Sequence, residues 1–135
     1  MVLRNFETKM KILFVCRHNR FRSKTAEALL MHYDKKIKVK SAGVELDLPY
    51  VAQGVKEVLK EYGIKKVKDK PTFINNKLLK WADKIIVVAD NVDTRAFPKE
   101  KVEVWKISDC DQDDVEGIKL RVREIDNKVK RMLKN

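Results

Sequence analysis

Residues Met10–Ser23 read MKILFVCRHNRFRS, and this stretch decides the fold. Ile12–Val15 is an uninterrupted apolar run, of the kind buried on both faces of a parallel sheet. It ends at Cys16, and arginines follow at positions 17, 20 and 22. Beyond Ser23, Ala26, Leu29, Leu30 and Tyr33 recur at the spacing of one helical stripe. The segment therefore reads as a buried strand, a short basic loop spaced C-x-x-x-x-x-R, and a helix.

Further along the chain, a second wholly apolar run falls within Lys84–Ala89. The segments KIKVK (Lys36–Lys40) and KVEVW (Lys101–Trp105) alternate instead, as edge strands do. Val51, Val55, Val58, Leu59 and Tyr62 form another helical stripe, closed by Gly63. Ile118, Val122, Ile125, Val129 and Met132 form a last one. Strands alternating with helices predict an α/β fold: a single domain with a four-stranded parallel sheet in spatial order 2-1-3-4 and helices on both faces. In that order the winding reverses between the first and third strands, and ligands bind beyond the carboxyl ends there. Cys16 stands at that place.

The chain has 135 residues and a formal net charge of +11, which suits one compact domain with an anionic partner or substrate. Two cysteines, Cys16 and Cys110, are too few for a secreted disulfide scaffold, so a reducing, cytoplasmic setting is expected. No run is long and apolar enough to span a membrane, and Met1–Lys9 lacks the apolar centre of a signal peptide.

Five residues between Cys16 and Arg22 can wrap into a cradle of backbone N–H groups, and the following helix adds the positive end of its dipole. An arginine that closes such a loop can grip two phosphate oxygens at once. The same field lowers the pKa of a thiol, so Cys16 is expected to be largely thiolate and nucleophilic, with Ser23 donating to it. The lone histidines, His18 and His32, read as a loop residue and a helix-surface residue, and no metal or other cofactor is expected. Trp81 and Trp105 follow apolar stripes and read as core. Asp111, Asp113 and Asp114 read as a solvated acidic turn before the last helix.

VCRHNRFRSKTAEALL resembles the phosphate-binding loop and helix of the low-molecular-weight protein tyrosine phosphatases and the related arsenate reductases, C-x-G-N-x-C-R-S followed by Ala-Glu. The matches are Cys16, Asn19, Arg22, Ser23, Ala26 and Glu27. SAG at Ser41–Gly43, ADKIIVVAD and ISDC fall where that family has corresponding segments, and the likeness runs from about Met10 to the end. It implies an N-terminal extension over 1–9 and a phosphatase-like domain over 10–135. It also implies a metal-independent phosphomonoester hydrolase of the protein tyrosine phosphatase type. Cys16 would form a cysteinyl-phosphate, Arg22 and the loop Arg17, His18, Asn19, Arg20 and Phe21 would hold the oxygens, and Ser23 would assist the thiolate. Asn19 would brace the loop through Ser41, and Asp109 would serve as general acid and base, with Asp111 in reserve. The expected substrate is a phosphorylated protein or a small phosphomonoester.

The chain departs from the pattern in several places. His18 replaces the loop glycine and is strained if that position needs positive φ. Phe21 replaces the second loop cysteine, and Cys110 the proline after the acid. Arg17 and Arg20 are either a solvated basic rim or a means of favouring acidic substrates. Tyr50 either stacks on a phosphotyrosine or packs against the helix it precedes, and Leu46 and Leu48 are alternative wall residues. Arsenate reductase shares the loop but needs a resolving thiol, and VVADNVDTRAF after the third strand holds none, leaving Cys110. Arg20 should repel a phosphoarginine. Nucleic-acid binding would suit +11, yet the lysines are spread through helices, edge strands and loops without a stacking platform, so nucleic acid is not an expected partner. A non-catalytic anion-binding protein would have no use for Cys16, Arg22 and Asp109 together.

Overall fold

In a computed structural model, residues 10–134 are described, so the proposed 1–9 extension lies outside the described residues. The elements are β1 (Lys11–Cys16), α1 (Arg22–Tyr33), β2 (Lys38–Gly43), α2 (Gln53–Lys60), α3 (Asn76–Trp81), β3 (Lys84–Val88), β4 (Val102–Trp105) and α4 (Val115–Lys134). The four strands are parallel, in the order β2-β1-β3-β4 that the strand pattern predicts.

The core has two layers, because successive side chains of a strand leave by opposite faces. Ile12, Phe14, Ile86, Val88 and Trp105 pack on one face against α1, α2 and α4. Leu13, Val15, Ile85 and Val87 pack on the other with Ala82 and Phe97. Phe14 and Trp105 meet with ring centroids 5.6 Å apart. Trp105 is core as read, whereas Trp81 is half-buried and carries the Lys40 ammonium 4.5 Å above its ring.

Gly63 closes α2 as its position predicts, with φ +84°. The Ile64 N–H reaches the Leu59 carbonyl at 3.1 Å and the Gly63 N–H reaches Lys60 at 3.0 Å, the paired bonds of a Schellman cap. The second strand begins two residues later than KIKVK suggests, since Asp34 accepts from the Lys36 N–H and holds a turn there. It then runs through Ser41–Gly43 to the level of Cys16. The helix over Asn76–Trp81 has no apolar stripe long enough to announce it. Its signal is Asn75, whose side chain caps the Leu78 N–H at 2.9 Å. At α4, Asp114 accepts from the Gly117 N–H at 2.9 Å, so part of the acidic turn is a helix cap.

Candidate active site

Cys16, the loop 17–21 and the first turn of α1 meet at the carboxyl ends of β1 and β3. The first turn of α1 has no side-chain cap and no acidic residue, so its N–H groups face the loop uncompensated. Cys16 is buried, and its sulfur lies 2.9 Å from Ser23 Oγ and 3.3 Å from the Asn19 N–H. Asn19 Nδ2 donates to Ser23 Oγ at 2.7 Å and to Ser41 Oγ at 3.0 Å. Ser23 thus receives a hydrogen bond from Asn19, and its own proton is free to point at the sulfur. Ser41 in turn donates to the buried Glu27 at 2.6 Å. Asn19 Oδ1 accepts from the Thr72 N–H at 2.9 Å, which ties the loop to a third segment.

The positive φ in the loop falls on Asn19, at 56°, and not on His18. Asparagine tolerates that region far better than most residues, so His18 carries no such strain. His18 and Arg17 both reach Glu45, at 3.3 and 3.4 Å. These contacts, the His18 hydrogen bond first, hold the Glu45 carboxyl below its ordinary range. Gly43 of the SAG segment is required by close approach: a Cβ there would sit 2.7 Å from the His18 carbonyl carbon and 2.8 Å from the Asn19 nitrogen.

Arg22 is only 2% exposed. Its Nη1 donates to the Ile107 carbonyl at 2.9 Å and its Nη2 to Asn91 Oδ1 at 3.1 Å. Asp90 and Asp109 flank it at 3.7 and 3.6 Å. Its Nε–H has no acceptor among the described residues. The guanidinium is therefore fixed from behind with an edge to spare. Asp90 and Asn91 were not singled out from sequence; their signal was position, just past the carboxyl end of a central strand. Asp109 Oδ1 also accepts from the Cys110 N–H at 2.9 Å, a bond that proline at that position would lack.

A cavity of about 560 Å³ is lined by Cys16, His18, Arg20, Arg22, Asp109 and Cys110. Its apolar wall is Phe21, Ala52, Val55 and Ile118. Tyr50, Leu46 and Leu48 are not part of that wall. Tyr50 lies over Arg20, whose guanidinium carbon is 5.2 Å from its ring centroid, and its ring is exposed. Nor is Arg20 a solvated rim. It is buried, donates to the Tyr50 carbonyl at 2.7 Å and to Gln112 at 3.4 Å, and faces Asp47 at 3.7 Å. The basic loop residue is a clamp between the segment 47–50 and the turn before α4. Arg20→Ala is expected to lower stability by about 1–3 kcal/mol, the usual cost of losing hydrogen bonds to a charged group, read as an earlier urea midpoint.

Asp47, Asp111 and Asp113 also line the cavity. Arg17 and Arg20 each face a carboxylate, Glu45 at 3.4 Å and Asp47 at 3.7 Å. Burial pushes the Cys110 thiol up from its ordinary value, with Asp114, Asp109 and Asp111 adding to the effect and Arg121 opposing it. Beneath the loop, burial pulls the Lys24 ammonium down while Glu27 pulls the other way. Among the described residues no group of three or more His, Cys, Asp or Glu is placed to hold a metal ion. No helix among them is long and apolar enough to cross a membrane.

A buried thiol that accepts from a loop N–H, in a loop closed by an arginine and followed by a helix, is the arrangement of the cysteine-dependent phosphatases and their relatives. The chain belongs to the low molecular weight phosphotyrosine protein phosphatase family, whose model matches residues 11–124. It is similar to the crystal structure of arsenate reductase from Archaeoglobus fulgidus DSM 4304, at 34% identity over 93% of this chain and 100% of that one, with TM-score 0.77. It is also similar to YwlE arginine phosphatase from Geobacillus stearothermophilus, at 26% identity over 93% and 91%, with TM-score 0.82. A low molecular weight protein tyrosine phosphatase from T. tengcongensis shares the fold at 24% identity over 93% and 99%, with TM-score 0.83.

Proposed function

We propose that this phosphatase-family enzyme hydrolyses phosphomonoesters of proteins through a covalent intermediate on Cys16. The sulfur attacks phosphorus and the ester oxygen departs with a proton from Asp109. Asp109 then takes a proton from water, which attacks the cysteinyl-phosphate and releases phosphate and the thiolate. Arg22 and the loop N–H groups hold the non-bridging oxygens throughout. The observation that carries this reading is the convergence on one cavity of Cys16, hydrogen-bonded to Ser23 and Asn19, with Arg22 and Asp109 3.6 Å apart. Hydrolysis of an aryl phosphate in the presence of a chelator, with a phosphocysteine trapped by rapid acid quench, tests it. No hydrolysis, or an absolute need for divalent metal, defeats it.

Arg22→Lys retains the charge but loses the planar fork, and a lysine cannot meet the Ile107 carbonyl and Asn91 while also facing two phosphate oxygens. The variant is expected to lose kcat/KM by roughly 10²-fold or more, on the scale of a missing oxyanion donor. Near-normal rates in steady-state assays would mean that Arg22 does not touch the transition state.

A second reading, arsenate reduction, has one observation in its favour: the likeness to the Archaeoglobus protein, joined to the presence of Cys110 in the same cavity as Cys16. Burial works against it by keeping Cys110 a poor attacking thiol. Arsenate-dependent oxidation of a dithiol, lost in Cys110→Ser, would transfer the assignment. For phosphoarginine, the expected repulsion by Arg20 is blunted by Asp47, so phosphoarginine belongs beside phosphotyrosine in a substrate panel. Both cysteines are free thiols, which accords with a cytoplasmic setting, and the proposed phosphatase-like domain, 10–135, contains the residues that the family model matches, 11–124.

A further inference from the structure

Away from the thiol, a larger cavity of about 700 Å³ lies between α1, the outer edge of β2 and the segment 63–68. Its rim is built by Lys35, Lys38, Lys40, Lys65, Lys66 and Lys68, all exposed. Its floor is aliphatic, with Ile37, Val39, Ile64 and Val67. One carboxylate lines it, Glu27, which is buried and already engaged by Ser41 and Lys68. Lys35, Lys38, Lys65 and Lys66 have no acidic partner within 4 Å among the described residues. Side-by-side cations without counter-charges repel one another, and an anionic partner relieves that repulsion.

The groove also holds an unused sheet edge. Beyond the groove, at the end of β2, Gly43 donates to the Thr72 carbonyl at 2.8 Å and accepts from the Ile74 N–H at 2.9 Å, so Gly43 faces away from β1. Backbone direction alternates along a strand, which turns the N–H and C=O of Ser41 and Val39 the same way. Neither has a backbone partner among the described residues; both are largely buried, and of the two Val39 lines the groove. An open edge flanked by lysines resists edge-to-edge pairing with copies of itself while remaining open to an acidic strand.

We propose that this groove is a docking site for an acidic, extended segment of a partner protein, which adds to the β2 edge and lays acidic side chains against the lysine rim. Alternating acidic and aliphatic residues fit, because one face of the added strand meets the rim and the other the floor. Residues 1–9 of the chain carry Arg4 and Lys9 against Glu7 and do not match that charge. Nucleic acid fits less well: the rings on the groove are Trp81, over which Lys40 lies, and the lone His32, which do not make a continuous stacking platform. The site does not depend on the proposed catalysis, since none of its rim residues lines the cavity of Cys16.

The test is fluorescence anisotropy with the full chain and a labelled, unphosphorylated peptide of about eight residues alternating glutamate with valine. The variant Lys38→Glu/Lys65→Glu/Lys66→Glu leaves Lys40 on Trp81 and Lys68 on Glu27. It should weaken binding at least ~10-fold, and hydrolysis of a small aryl phosphate should stay within about twofold of the parent. A peptide N-methylated at alternate backbone nitrogens should bind at least ~10-fold less well in one of its two registers, because edge pairing needs those N–H groups. Equal affinity in the triple variant overturns the proposal. So do tighter binding of a single-stranded oligonucleotide or of phosphatidylserine vesicles at matched charge, or self-association that the triple variant abolishes. Loss of aryl phosphate hydrolysis in the triple variant would overturn the separateness of the groove from the catalytic cavity.

Discussion

Cys16→Ser is expected to bind phosphate or vanadate nearly as well as the parent while losing turnover by more than ~10⁴-fold. The two halves of this result have separate causes. In the proposed mechanism oxyanion binding rests on the loop N–H groups, the first turn of α1 and Arg22, none of which the substitution removes. Serine also keeps a partner for Ser23, so the Asn19–Ser23–Ser41 braces have no reason to relax. Turnover belongs to the sulfur, because a hydroxyl is not ionised near neutral pH and is a poor nucleophile without a base beside it. Among the described residues no such base is bonded to it: the only side chain hydrogen-bonded to Cys16 is Ser23. Calorimetric titration with vanadate beside steady-state hydrolysis of an aryl phosphate reads both halves. A serine variant with parental rates would remove Cys16 from the chemistry. One that neither binds nor turns over would show that the sulfur holds the loop together.

Much of this site was legible because it is local. Strand, loop and helix are contiguous from Met10 to Tyr33, and a buried apolar run followed by a polar turn and a 3.6-residue stripe leaves little freedom of interpretation. The sheet order followed from which strands were apolar on both faces. What could not be read depends on segments distant in sequence. Arg20 looks solvated beside Arg17, and only the approach of Asp47–Tyr50 and Gln112 buries it. Asp90 and Asn91 gain meaning only once Arg22 lies over the end of β3. The lysines of 35–40 and 65–68 look scattered along the chain, yet the Schellman turn at Gly63 returns the second group alongside the first. The contact of Tyr50 with Arg20 was equally hidden, because it depends on the burial of that cation.

The replacement of proline by Cys110 bears most directly on proton transfer. Asp109 is expected to remain the general acid, and Asp109→Asn to slow hydrolysis of phenyl phosphate by ~10²–10⁴-fold while slowing a nitrophenyl ester much less. The contrast arises because a nitrophenolate leaves without needing a proton, whereas a phenolate does not. Geometry favours Asp109 over its neighbours. Its Oδ2 lies 3.6 Å from Arg22 Nη2, so it borders the place where the phosphate must sit. Asp111 and Asp113 line the same cavity, but neither pairs with Arg22. The Cys110 N–H, which exists only because proline is absent, holds Asp109 Oδ1 at 2.9 Å and leaves Oδ2 to face the ligand. Arg121 steadies the same turn by donating to the Ser108 and Asp109 carbonyls at 3.2 Å. The proline's rigidity is thus replaced by hydrogen bonds that aim one carboxylate oxygen. Rates for a series of aryl phosphates, plotted against leaving-group pKa, should steepen in Asp109→Asn and keep the parental slope in Asp111→Asn. If Asp111→Asn gives the steep plot instead, the loss of proline has moved the acid two residues along.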